Sequence, residues 1–113
     1  MVYRKYIPVQ LPLPLPDNPI TFEIYGGIQV VIDSVDGDLI KHTWSAQIAS
    51  DTRTYIKHHQ TSRLKRSYLH RLIMERVVNR PLKRHEDVDH IDGNPLNNRR
   101  SNLRLATRTQ NNG

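Results

Sequence analysis

Residues 84–113 read Arg84-His85-Glu86-Asp87-Val88-Asp89-His90-Ile91-Asp92-Gly93-Asn94-Pro95-Leu96-Asn97-Asn98-Arg99-Arg100-Ser101-Asn102-Leu103-Arg104-Leu105-Ala106-Thr107-Arg108-Thr109-Gln110-Asn111-Asn112-Gly113. Glu86, Asp87, Asp89 and Asp92, four of the five acidic residues in the stretch 52–113, crowd around His90. Such a set offers oxygen and imidazole ligands for a cation beside guanidinium groups suited to an anion. The chain has no cysteine, which excludes a disulfide framework, a thiolate zinc site and a thiol nucleophile. The histidines also lack the paired-ligand spacing of a zinc finger. The adjacent pair His58-His59 has no carboxylate beside it and is a poor metal site.

Charge is distributed unevenly. Residues 1–51 carry three basic and six acidic side chains, a net of −3, whereas residues 52–113 carry fourteen and five, a net of +9. A half-chain that positive fits a polyanionic partner, since each cation that neutralises a phosphate releases counterions. A solvated surface kept for solubility would show the same balance.

The elements that must position these groups form a chain of 113 residues with 36% hydrophobic content, enough for one small domain with a modest core. Residues 1–20 read as an extended proline-rich arm, because the alternate prolines in Leu11-Pro12-Leu13-Pro14-Leu15-Pro16 favour polyproline II. A strap across the domain surface is preferred over a ligand for a proline-binding module. Residues 21–66 read as a small antiparallel β region. Ile28 to Ile32 is rich in β-branched residues, Asp36-Gly37 is a turn signal, Trp44, Ala46 and Ile48 alternate with polar residues, and Tyr55-Ile56 begins another strand. Trp44 reads as core. Residues 57–66 are polar and basic, an exposed loop or hairpin end whose Arg63, Lys65 and Arg66 suit phosphate.

Ser67 can cap a helix with an apolar face of Leu69, Leu72, Ile73 and Val77, closed by Asn79-Arg80-Pro81. His70 and Arg71 flank that face. Residues 88–91 form a short strand, 92–101 an irregular loop dense in Gly, Asn, Pro and Arg, and 103–105 a second strand. Thr107-Arg108-Thr109-Gln110 matches a capping box and predicts a helix opening at Thr107. The fold class expected is α+β, with a small antiparallel sheet, a helix and then a strand-loop-strand-helix unit.

In that unit the sequence closely resembles the HNH endonuclease family, in its His-Asn-Asn version, of the phage and intron homing-like type. Asp89-His90, Asn102 and Asn111 fall on the signature, with Asp92-Gly93-Asn94, Asn97-Asn98 and Tyr68-Leu69-His70-Arg71-Leu72-Ile73 agreeing around them. The resemblance covers residues 25–113, more weakly before residue 65. It implies a ββα-metal (His-Me finger) nuclease core over 67–113. His90 would be the general base, and Asp89 and Asn111 the protein ligands of one divalent cation, Mg²⁺ with Mn²⁺ as a substitute and no zinc. Asn102 and Asn98 would order the loop, while Asp92 is a turn residue. Arg99, Arg100, Arg104, Arg108 and Arg71, with Lys65 and Arg66, would hold DNA phosphates, and His70 is a second-tier candidate.

The implied partner is DNA, double-stranded, cut to 5′-phosphate and 3′-hydroxyl ends by nicking or double-strand cleavage. A DNA-binding module that keeps the fold without catalysis is the alternative. Ribonuclease activity has no supporting feature such as an aromatic stacking platform. No apolar run reaches the roughly 20 residues of a membrane span, and prolines interrupt any signal-peptide core, so an intracellular, non-secreted protein is expected. Monomer and homodimer stay open.

Overall fold

A computed structural model describes residues 2–11, 18–48, 53–58 and 68–110. The elements in chain order are β1 (Val2–Ile7), β2 (Pro19–Ile24), β3 (Ile28–Asp33), a 3₁₀ segment (Ser34–Lys41), β4 (Trp44–Ile48), β5 (Thr54–His58), α1 (Leu69–Val78), β6 (Glu86–His90), a short 3₁₀ turn (Arg100–Asn102) and β7 (Leu103–Gln110). The class is α+β with antiparallel sheets. Where a single β region was expected over 21–66, there are two separate hairpins, β2–β3 and β4–β5, and a third sheet has the order β1-β7-β6.

The hairpins follow their side-chain alternation. On β2 Phe22 and Ile24 turn inward while Thr21 and Glu23 face solvent, and Val30 and Ile32 of β3 are buried beside them. Asp36-Gly37 lies inside the 3₁₀ segment rather than in a hairpin turn. Trp44 is buried at the head of β4, as expected, and donates its indole N–H to the Leu39 carbonyl at 2.8 Å. The basic stretch begins later than the sequence suggests. Lys57 and His58 belong to β5, and His58 is buried edge-on against Trp44 with ring centroids 5.4 Å apart. Residues 59–67, with Lys65 and Arg66, lie outside the described residues, as do the prolines at positions 12, 14 and 16.

Helix α1 buries Leu69, His70, Ile73 and Met74, with Leu72 and Val77 packed at the margin. Tyr68 holds its N-cap position, one residue beyond the expected Ser67, and gives it no side-chain cap bond. Asn79 ends it in the left-handed region (φ 57°), its N–H donating to the Glu75 carbonyl. Leu69, Ile73, Val88, Leu103 and Leu105 share one apolar cluster with Val30, Ile32, Trp44 and Ile56, so both halves of the chain build a single core.

The largest departure is at the C-terminal end. Instead of a helix from Thr107, β7 runs straight through to Gln110. It pairs on one side with β6, His90 opposite Leu103 and Glu86 opposite Thr107, and on the other with β1, Ile7 opposite Leu105 and Val2 opposite Gln110. Two flanking strands satisfy the backbone that a helix would otherwise close on itself, and the local capping signal yields to them. The ββα ending is therefore not formed over residues 107–110, and Asn111 lies outside the described residues. No helix among the described residues is long and apolar enough to cross a membrane.

Candidate active site

β6 delivers Asp89 and His90 to one end of the sheet, and the loop 91–102 folds back over them. His90 and Asn98 meet at 2.8 Å between Nε2 and Oδ1. The orientation of that amide is decided by its other end, where Asn98 Nδ2 lies 3.0 Å from the Pro95 carbonyl, which can only accept. Oδ1 therefore faces the imidazole and accepts from Nε2–H, so that in the neutral ring the lone pair falls on Nδ1. Asn98 is itself buried, with its backbone N–H on the Val31 carbonyl at 2.8 Å. Val31 N–H in turn donates to the Leu96 carbonyl at 2.9 Å, so β3 of the N-terminal half holds the loop that holds His90.

Asp92 and Asn102 order the same loop. Asn102 Oδ1 accepts from Asp92 N–H at 3.0 Å, while its Nδ2 donates to Asp92 Oδ1 at 2.9 Å and to the Asn97 carbonyl at 2.8 Å. Asp92 also accepts from Asn94 N–H and Asn97 Nδ2. These donors, led by the Asn94 N–H, hold its carboxyl below the usual carboxylate range. Both its oxygens serve the turn. Gly93 between them sits at φ +77°, where a β-carbon would be strained.

Two open clefts flank Asp89. One, of about 440 Å³, is walled by Arg53, Tyr55, Tyr68, His70, Arg71, Asp87, Asp89 and Arg108. The other, of about 520 Å³, has Tyr6, Arg53, Tyr55, Asp89, His90, Gly93 and Arg104. Asp89 lies between them, partly exposed, opposite Arg104 across the β6–β7 ladder with Nε to Oδ2 at 3.9 Å. Arg108 reaches Asp87 at 3.2 Å. Arg104, 44% exposed, lies over the Tyr6 ring at 3.9 Å, and Arg108 is 52% exposed. Both remain placed for an anion.

The other expected phosphate ligands among the described residues have partners within the fold. Arg100 is 10% exposed and grips Asp36 with Nε at 3.0 Å and Nη2 at 2.8 Å, and its backbone N–H donates to Asp33 at 2.8 Å. Arg99 Nε donates to the buried Asp33 at 3.0 Å. These arginines fasten the loop to the end of β3 and to the 3₁₀ segment, because a buried carboxylate demands a cationic partner. Arg71 donates to the carbonyls of Glu86 and Lys83, at 2.5 and 3.3 Å, and so pins the α1–β6 connection. Asp33 and Asp36 lie more than sixty residues upstream of the arginines they hold, and nothing local marks them as partners. Arg53, Tyr6 and the ring cluster of Tyr55, Tyr68 and His70 are likewise site features that only the fold assembles, and the cluster is the aromatic surface the sequence did not reveal.

Glu86 anchors the start of β6. It is buried and accepts from both Arg80 Nη atoms at 2.8 Å and from Lys83 N–H at 2.7 Å. The Arg80 bonds first, then the Lys83 N–H, pull its pKa from 4.5 to about 2. A depressed folded pKa stabilises the fold above the unfolded value and loses that contribution as pH falls through the folded one. Glu86→Gln is therefore expected to melt below the wild type at pH 7, with the gap narrowing below pH 4.5 and closing near 2. Circular-dichroism melts across that range check it, and a constant gap would contradict the assignment.

The donor chemistry on the cleft face suits a hard cation. Asp89 supplies carboxylate oxygen, and no thiolate exists in the chain. Among the described residues no group of three or more His, Asp or Glu side chains converges as a metal cage, so most ligands would be water or substrate. Compared with known protein families, residues 67–112 match the family model described as HNH endonuclease. No curated protein and no solved structure matches the chain.

Proposed function

We propose, from the match of residues 67–112 to the HNH endonuclease family model, that the protein is a metal-dependent endonuclease that hydrolyses DNA phosphodiester bonds, leaving 5′-phosphate and 3′-hydroxyl ends. The observation that carries this is the Asn98 clamp on His90 Nε2 beside Asp89 at the cleft, which leaves Nδ1 of the neutral ring free to accept a proton. His90 takes the proton of the attacking water at Nδ1. Asn98 keeps the ring in one tautomer and one plane, and its carbonyl oxygen offsets the positive charge that the ring acquires. Arg104 and Arg108 orient the phosphate backbone without reading sequence. Asp89, with Asn111 as the second ligand, would hold Mg²⁺ or Mn²⁺. When bound, the ion supplies positive charge for the phosphate and for the departing oxygen. Asn102 and Asp92 preserve the loop that makes this arrangement possible.

Plasmid nicking or linearisation in the presence of Mg²⁺ tests the proposal. Cleavage should vanish in excess EDTA and return with Mg²⁺ or Mn²⁺. A second reading, a DNA-binding module without catalysis, draws support from β7, which occupies residues where the family resemblance places the start of the metal-bearing helix. Salt-sensitive DNA binding without cleavage under either ion would favour it.

A further inference from the structure

His70 is a buried polar group that the chemistry above leaves unused. It is 5% exposed on the first turn of α1. Its neighbours are rings: Tyr55 stacked at 5.7 Å, Tyr68 at 5.9 Å and His90 at 5.3 Å. Neither of its ring nitrogens hydrogen-bonds to another described residue. Buried polar atoms nearly always have partners, and one left over inside a cleft wall marks a place where a partner arrives.

The surroundings define that partner. Burial, reinforced by the charges of His90 and Arg71, lowers the His70 pKa to about 3, so the ring is neutral and keeps one N–H to donate. The cleft it walls has three guanidiniums, of Arg53, Arg71 and Arg108, against two carboxylates, of Asp87 and Asp89. Arg108 offsets Asp87, whereas Arg71 gives its N–H groups to carbonyl oxygens and keeps its charge uncancelled. Among the described residues no third acidic or imidazole ligand joins the carboxylates to make a metal site, so an anion fits better than a second cation. About 440 Å³ of open cleft admits a nucleotide.

We propose that this cleft is a second phosphate subsite, in which buried His70 donates its ring N–H to a nucleic-acid backbone phosphate next to the one attacked beside His90. It rests on the endonuclease reading, because the neighbouring phosphate belongs to the same bound strand. Asp89 sits on the boundary of both clefts, and one strand lying across it would present successive phosphates to the two sides.

Histidine side-chain ¹⁵N NMR of the full chain, titrated with thymidine 3′,5′-bisphosphate in EDTA, provides the test without cleavage. The His70 ring nitrogens should shift saturably. His70→Phe should weaken bisphosphate affinity about tenfold, the loss of one hydrogen bond to a charged group, and His70→Gln, which keeps a donor, should fall between. A silent His70, or equal affinity in a folded His70→Phe, overturns the subsite. If His70→Phe does not fold, the wild-type titration decides alone. Saturable shifts in a chain that never cuts plasmid would keep the subsite and sink the nuclease. Cutting with a silent His70 would do the reverse.

Discussion

Alanine in place of His90 should lower the rate of Mg²⁺-dependent plasmid cleavage by about 10²–10⁴-fold, the usual contribution of a positioned general base. DNA affinity and thermal stability should change little, since the ring is partly exposed at the end of β6 and its hydrogen bond to a described side chain goes to Asn98. The vacated Asn98 Oδ1 can be reached by water from the adjoining cleft. A large loss of rate with unchanged melting separates chemistry from scaffolding. Wild-type cutting by His90→Ala, in a preparation free of contaminating nuclease, would show that another group accepts the proton. A loss of melting temperature equal to that of a core deletion would show instead that the residue is structural.

The other large effect lies away from the chemistry. Asp36 is fully buried, held in a bidentate pair by Arg100 and touched by Arg76 Nη1 at 3.3 Å. Asp36→Ala strands the guanidinium of Arg100 in a site that is 10% exposed. Breaking one side of a buried pair costs about 3–5 kcal/mol, a large share of the 5–15 kcal/mol typical of a whole domain. The midpoint of thermal unfolding should fall by roughly 10 °C or more. Replacing both partners, Asp36→Leu with Arg100→Met, should recover most of the loss, because no charge is then left without a counterion. Had Arg100 been a DNA contact, Arg100→Gln would weaken binding and leave the melt alone. The structure leads to the opposite expectation, a lowered melt with DNA affinity per folded molecule nearly intact.

These two residues mark the boundary of what sequence alone conveys here. His90 and its loop are legible because their signals are local: turn residues are dense from Asp92 to Ser101, and Asn98 and Asn102 stand within twelve positions of the imidazole they serve. Helix α1 is legible by its period, and its end by Asn79-Arg80-Pro81. The partner of Arg100 is not legible, because guanidinium chemistry is the same toward a phosphate and toward Asp36, and only the fold brings Asp36 near. The acidic character of the N-terminal half, which looks like inert scaffold, is where several arginines of the basic half find their partners. Thr107 is misread for a related reason. A capping box is written in four consecutive residues, whereas the pairing that overrides it is written in β1, a hundred positions earlier.

That pairing also sets a clock. β1 is made well before β7, yet the two are neighbours in the sheet, and Tyr6 and Arg104 are 98 residues apart in sequence. Contacts of such long range form slowly and cannot form at all until synthesis reaches them. Among the described residues β6, the strand with His90, also has only β7 for a partner. Until β7 is made, a chain still being translated therefore lacks the pairing that fixes Asp89 and His90 at the end of β6.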